Sequence, residues 1–463
     1  MAQRQPNILF IMADQFRTAT MTDLGDGIET PNIDRIRRMS VFFPLAACNS
    51  PLCTPSRASL ATGKLPHNCG VIAHDANLPL DQKTYYQALR KAGYRVAVVG
   101  KTDLHKETRF IGRRGDLPVI YQLGFTDPRE TEGKMNCARI LRTTAEGEPS
   151  PLGPYQARLL DKDPALLKRL NAAYMGYMAG GKEKQVYKSW ESELPDEDFL
   201  DNFIGIESCA FLERVDDEAP WHLLASFAGP HNPWDPPASE FEKTKDADYP
   251  LPPQDNLSGK PEWIKKRAAV QSRGLTRDGL LNTKRHYAAS VAVIDRWVGE
   301  MLDILERRNL LDNTVVVFTA DHGEMMGDHG LFEKTVMYEG ALRIPMLVHL
   351  PEMQQARESN ALVTLMDLAP TLMDLAGASY DPGDLDAKSF ADLLKGEEQS
   401  PHEVQQSELM NTIMLFDGRY KWIRSFNDSS ELYDLQADPD ELHNCIAEHP
   451  EVIQRLRKYT FRA

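Results

Sequence analysis

The 463-residue chain reads as an α/β protein: a mostly parallel sheet sandwiched by helices, with a smaller C-terminal antiparallel subdomain. Three observations predict this. Four short apolar runs rich in strand-forming residues each finish on a polar or ionisable side chain. Helical stretches lie between those runs. After residue 375 the pattern changes to short alternating runs separated by turn residues.

In chain order, "NILFIMAD" ends at Asp14, "YRVAVVGK" at Lys101, "WHLLASFAGPH" at His231, and "TVVVFTADH" at Asp321 and His322. Between the first two runs, Pro55 suits the first turn of a helix and Gly63 its end, which puts Cys53 just before a helix N-terminus. "DQKTYYQALRKAG" and "KRHYAASVAVIDRWVGEMLDILERRN" read as further helices. Strands alternating with helices imply a parallel sheet covered on both faces. Ligands in such sheets bind beyond the carboxyl ends of the strands, so four distant segments are expected to build one site. Residues 128–200, charged and partly Gly-rich, and 232–282, dense in Pro and charge, read as insertions on a domain spanning 1–375. In 376–463, "GRYKWIRSF" and "SELYDL" flank "NDSS" as an antiparallel hairpin, and "PEVIQRLRKYTF" closes the chain as a helix.

Composition narrows the partners. Fifty-three Lys and Arg against 68 Asp and Glu give a net charge of −15, which disfavours nucleic acid and anionic membrane surfaces. An anionic substrate must then be drawn in by a local cationic site. Cys48, Cys53, Cys69, Cys137, Cys209 and Cys445 show no paired CxxC spacing, and a chain this long does not depend on disulfide staples. "MAQRQPNILFIMADQ" reads as a buried strand and not as a signal peptide, and no stretch approaches the roughly 20 apolar residues of a membrane span. The expectation is a cytoplasmic protein with reduced thiols, no nucleic-acid partner and no membrane contact. Its oligomeric state is left open.

"CNSPLCTPSRASLATGK", residues 48–64, places a thiol where amides at a helix entrance favour an anion. A lone cysteine is most often a small buried hydrophobe. Its neighbours point elsewhere: Cys-Thr-Pro-Ser-Arg resembles the CxPSR signature of type I sulfatases and related phosphonate monoester hydrolases. "PNILFIMADQ", "TPNIDRI", "GYRVAVVGK", "PHNPWDPP", "TADHGEMMGDHGLFEK", "RIPMLVHLP" and "ELYDLQADPDELHN" also resemble segments of that family, in its order. The resemblance implies the alkaline phosphatase superfamily fold, in agreement with the parallel sheet. It also implies a small anionic ester substrate and conversion of Cys53 to formylglycine by a maturation enzyme.

Residue by residue, the resemblance makes Asp14, Asp321 and His322 metal ligands, with Gln15 a fourth and residue 53 completing the set. Oxygen donors suit Ca²⁺, Mg²⁺ or Mn²⁺, and an imidazole moves the preference toward Mn²⁺. Calcium, the family's commonest occupant, is the expected ion, with Mn²⁺ or Mg²⁺ as alternatives. Arg57 and Lys101 would hold the hydrated aldehyde and neutralise charge. His231 resembles the substrate-contacting histidine, and Lys334 in "LFEK" the lysine that meets the transferred group and leaving oxygen.

Three departures stand out. Many relatives have two aspartates after the first strand where this chain has Ala13 and Asp14, and many carry Asp-Asn at the place of Asp321 and His322. Both features resemble choline sulfatases and phosphonate monoester hydrolases. In "GKTDLH" the expected histidine two places after the lysine is Asp103, so either Asp103 or His105 is the candidate base. The reaction implied is sulfate-ester hydrolysis, with His231 or Lys334 protonating the leaving alcohol. The alternatives are a phosphonate monoesterase or phosphodiesterase using the same site, and a non-catalytic binding protein of the same fold.

Overall fold

The computed structural model describes residues 5–460 except 107–109, 180–184, 186, 217, 354 and 398. The Gly-rich part of the expected 128–200 insertion therefore lies largely outside the described residues. The main sheet contains β1 (Asn7–Ala13), β2 (Val41–Phe42), β3 (Arg95–Gly100), β4 (Asp127–Glu130), β5 (Trp221–Phe227), β6 (Thr314–Ala320), β7 (Met346–His349) and β8 (Arg357–Glu358). They run in the order β4-β3-β5-β1-β6-β7-β2-β8. The first five are mutually parallel, β7 is antiparallel to both β6 and β2, and β8 is parallel to β2.

The four runs read from sequence are thus adjacent, β3-β5-β1-β6. Every residue of β1, β5 and β6 is buried, as strands covered on both faces require. Helices Leu200–Arg214 and Arg277–Arg307 pack against each other in one layer, and Cys53–Thr62, Tyr85–Lys91 and Leu368–Leu375 in another. The register sets up the site. Ala13 pairs with Ala320 and with Phe227, so Asp14 and Asp321, one residue further on, emerge side by side. Gly100 pairs with Ser226 at φ +104°, where a Cβ would meet the Ser226 carbonyl oxygen at 1.9 Å. Only glycine lets the two strand ends close there, and Lys101 follows it with its amide donating to Ser226 O.

Several boundaries differ from the sequence reading. Cys53 is the first residue of its helix, Cys53–Thr62, and Gly63 closes it at φ +65°. The helix expected from residue 81 runs Tyr85–Lys91, because Thr84 and Gln87 form a capping box that fixes its start. The long helix begins earlier than 284, at Arg277, where the Thr276 hydroxyl accepts from the Gly279 amide. β4 has the polar sequence DPRE and shows no strand signal. The expected C-terminal hairpin is the pair β11 (Tyr420–Ser425) and β12 (Glu431–Asp434). It is completed by β9 (Gln405–Leu409) and β10 (Thr412–Phe416) into a four-stranded antiparallel sheet.

Candidate active site

Three polypeptide segments deliver their side chains to one point beyond the strand ends. Donor atoms of Asp14, Cys53, Asp321 and His322 lie within 4.8 Å of one another, and all four residues are buried. Cys53 Sγ is 3.1 Å from His322 Nε2 and 3.7 Å from Asp14 Oδ1. His322 Nε2 in turn is 3.8 Å from Asp14 Oδ1 and 3.7 Å from Asp321 Oδ1. Donors sharing one ion at about 2.3–2.6 Å stand at such separations. His322 Nδ1 pairs with the Gly323 carbonyl at 3.0 Å, which makes Nδ1 the protonated nitrogen and leaves the Nε2 lone pair facing the cluster. Two carboxylates, an imidazole lone pair and residue 53 fit a divalent cation.

Gln15, with φ +67°, stands differently. Its amide oxygen accepts from Lys334 Nζ and its amide nitrogen donates to Glu324 and, at 3.3 Å, to Asn232 Oδ1. Glu324 also accepts from the amides of Met326 and Glu333, and burial pushes its carboxyl up to about 7. Glu324 thus fixes Gln15. Nothing in the sequence "TADHGE" marks Glu324 for this role.

Cations surround the carboxylates. Arg57 Nε donates to Asp321 Oδ2 at 2.8 Å, its Nη1 donates to Lys101 O at 2.8 Å and to Ser226 Oγ at 2.9 Å, and its Nη2 stands 3.6 Å from Asp14 Oδ2. Lys101 bonds Asp14 and lies 2.9 Å from Asp103 Oδ2. Burial alone would raise the Asp14 carboxyl, but Lys101, Arg57 and Lys334 hold it well below its ordinary value. Burial and Asp14 push the Cys53 thiol up, yet the positive charges around it, Lys101 first and then Lys334, outweigh them and bring it down to about 5. The helix entrance at Cys53 adds to that preference for an anion.

His231 is half-buried and its Nδ1 pairs with the Asn232 carbonyl, so Nε2 is the acceptor. Lys334 Nζ donates to it at 2.5 Å. Burial, then Lys334, depress His231 to about 3. His231 is therefore the unprotonated partner of this pair. Asn232, whose amide nitrogen donates to Tyr177 Oη and Glu333 Oε1, holds the turn in place.

A second, more exposed group also includes Cys53: donor atoms of Cys53, His74 and Asp103 lie within 4.8 Å of one another. Burial would raise Asp103, but Lys101 and Lys106 force it far below the usual carboxylate range. His105 is half-buried and belongs to neither group. His74 was not singled out from sequence, since "GVIAHDANLP" has no period or motif to mark it.

Residues 6–378 match the Sulfatase family model, and residues 327–461 match the model of the N-sulphoglucosamine sulphohydrolase C-terminal region. The chain is 28% identical to an arylsulfatase of Clostridium perfringens, over 98% of this chain and 93% of that protein. It is 27% identical to a choline-sulfatase of Rhizobium meliloti, over 97% and 84%. Two solved structures share the fold. A protein in complex with its substrate D-glucosamine-2-N,6-O-disulfate superposes with TM-score 0.73 at 23% identity, covering 98% of this chain and 96% of that one. The phosphonate monoester hydrolase of Silicibacter pomeroyi gives 0.76 at 23%, covering 98% and 94%. With the family model spanning most of the chain, this protein is a member of the sulfatase family and a sulfuric ester hydrolase.

Proposed function

We propose that the protein hydrolyses sulfate monoesters with residue 53 as nucleophile after Cys53 is converted to formylglycine, and with one divalent cation held by Asp14, Asp321, His322, Gln15 and residue 53. The observation that carries this reading is the convergence of Asp14, Cys53, Asp321 and His322 within 4.8 Å at a helix entrance ringed by Arg57, Lys101 and Lys334. The hydrated aldehyde would supply a hydroxyl, and a cation held by these residues would polarise the oxygens of the group being transferred. The chain's own residues do the rest. Arg57 holds Asp321 and offsets the charge of the carboxylates. Lys101 ties Asp14 to the substrate side. Lys334, carrying the proton shared with His231, gives it to the leaving oxygen while His231 keeps the ammonium aimed.

Ca²⁺ is the ion proposed first; the single imidazole keeps Mn²⁺ and Mg²⁺ as alternatives. Six unpaired cysteines and the acidic net charge support a cytoplasmic enzyme matured by a formylglycine-generating partner and acting on a small anionic ester. No helix among the described residues is long and apolar enough to cross a membrane. In this reading residues 1–375 are the catalytic unit, with 128–200 and 232–282 as elaborations, and 376–463 a C-terminal subdomain.

Mass spectrometry of the residue-53 peptide, from protein coexpressed with a maturation enzyme, tests the proposal. Sulfur should be replaced by oxygen at Cys53 and turnover should scale with that conversion, while Cys53→Ala should be inactive and folded. Full activity in wholly unconverted thiol protein would overturn it.

A further inference from the structure

We propose that His74 is the proton acceptor on the open side of residue 53, with Asp103 and Lys106 as its positioning residues. The inference rests on the formylglycine reading above and assigns a role to a histidine outside the 101–105 segment. Residue 53 belongs to two groups of donors, an inner one wholly buried and an outer one open to solvent. On the inner one, Sγ faces His322 Nε2 and Asp14 Oδ1. On the outer one, a ring nitrogen of His74 and a carboxylate oxygen of Asp103 both lie within 4.8 Å of Sγ and of each other. A carbon bearing two oxygens at this place would turn one toward the cation ligands and the other toward the imidazole.

The neighbours decide which outer group takes the proton. Asp103 Oδ2 is 2.9 Å from Lys101 Nζ and 3.1 Å from Lys106 Nζ. A carboxylate shared by two ammonium groups is a poor proton acceptor, but it can stabilise a neighbouring imidazolium. His105 follows Leu104, a buried residue whose carbonyl accepts from the Leu78 amide, and it lies in neither group of donors around Cys53.

His74 is held by its backbone to the residue next to Cys53. Thr54 Oγ1 donates to His74 O at 2.9 Å, and Lys106 Nζ donates to Thr54 Oγ1 at 2.7 Å and to His74 O at 3.2 Å. The Lys106 amide donates to Asn77 Oδ1 at 2.6 Å, closing the 74–77 turn onto the same lysine. Lys106 Nζ also stands 3.3 and 3.4 Å from the two ring nitrogens. That ammonium disfavours a protonated ring before the step, and hastens proton release to solvent from this exposed side chain afterward.

The step balances on residue 53. A His74 nitrogen lone pair takes the proton of the outer hydroxyl, and the O–H electron pair becomes the second bond of the aldehyde carbonyl. The other carbon–oxygen bond breaks with its electron pair leaving on the sulfate oxygen. Sulfate departs, and one water later restores the hydrate.

The test uses full-length, converted enzyme, with formylglycine occupancy measured for wild type, His74→Gln and Asp103→Asn. Loss of the general base for breakdown of the sulfated intermediate predicts that kcat of His74→Gln falls about 10²–10⁴-fold and that KM falls with it, leaving kcat/KM within about threefold, because the affected step follows formation of the intermediate. The readout beyond rate is the residue-53 peptide after rapid acid quench: in His74→Gln it should accumulate one sulfo group heavier, and added imidazole should release it. Asp103→Asn should slow the same release when assayed at a temperature where near-UV circular dichroism shows the variant folded. A kcat near wild type in His74→Gln at equal occupancy would overturn the inference alone. So would a slow variant with no retained sulfo group and no rescue by imidazole. Absence of formylglycine-dependent turnover in the wild type would overturn the functional reading and this inference together.

Discussion

Replacing Arg57 by methionine isolates what the guanidinium does for the carboxylates. The side chain is 3% exposed, and the change deletes its 2.8 Å contact with Asp321 Oδ2 and its bonds to Lys101 O and Ser226 Oγ. Asp321 Oδ1 keeps the amides of Gln15 and His322 at 3.1 and 3.0 Å, so within this carboxylate the loss falls on one buried oxygen. Removing one partner of a buried pair costs about 3–5 kcal/mol. A divalent cation between Asp14 and Asp321 supplies compensating charge. At saturation the loss shrinks by the amount by which the variant, stripped of a competing positive charge, binds the cation more tightly, about 1.4 kcal/mol per tenfold in Kd. The destabilisation should therefore be near its full value in EDTA and clearly smaller in saturating Ca²⁺ or Mn²⁺. Urea unfolding followed by tryptophan fluorescence reads both conditions. Equal losses with and without metal would refute a shared cation; a loss below about 1 kcal/mol, the range of exposed pairs, would refute the counter-ion role itself.

Chelation should abolish turnover, with Ca²⁺ and Mn²⁺ tested separately for recovery, whereas Asp321→Ala should stay inactive in excess metal. Lys334→Ala should slow alkyl sulfates by about 10²–10⁴-fold, the usual worth of a general acid, and activated aryl sulfates much less, since their leaving groups need no proton. A uniform loss across leaving groups would point to binding instead. Aryl sulfate should be turned over with higher kcat/KM than an aryl phenylphosphonate; a preference for the phosphonate above about tenfold, roughly 1.4 kcal/mol of barrier, would make phosphonate ester hydrolysis the main activity.

The centre of the fold was legible because each of its four core strands is a short apolar run ending on a chemical group. Asp14, Lys101, His231 and Asp321 could be placed together before any register was known, because parallel strands carry such ends to one edge of the sheet. Register added what the sequence does not contain, the Ala13 and Ala320 pairing that sets Asp14 beside Asp321. Edge elements were less visible. DPRE in β4 pairs on one side only with β3 and needs no apolar residues to do so. β9, QQSEL, carries polar side chains in the interior of the molecule, with Gln405 donating to Leu45 O and Val363 O; hydrophobic patterning cannot reveal a strand held this way. The choice between Asp103 and His105 stayed open for a related reason. Spacing fixes how far a residue lies from Lys101 but not its direction, and Asp103 at φ +59° turns the chain locally. His74 had no strand to announce it, being carried by a loop tied to Thr54 and Lys106.

That contrast bears on how the two flanks of residue 53 tolerate change. On the inner flank, cation ligands must meet one ion at nearly fixed distances, so they stand on strand ends whose spacing the sheet dictates. On the outer flank, proton transfer requires only that one nitrogen come within hydrogen-bond reach of one hydroxyl. An imidazole can satisfy that from the end of β3 or from the 74–77 turn. Under the role proposed for His74, placing Asp103 beyond β3 then moves the imidazole to another support without losing it. The ion pairs of Asp103 with Lys101 and Lys106 couple the two supports, because the same carboxylate that lies beside the imidazole also faces the lysine bonded to Asp14. Disturbing Asp103 should therefore be felt on both flanks, whereas disturbing His74 should be felt on one.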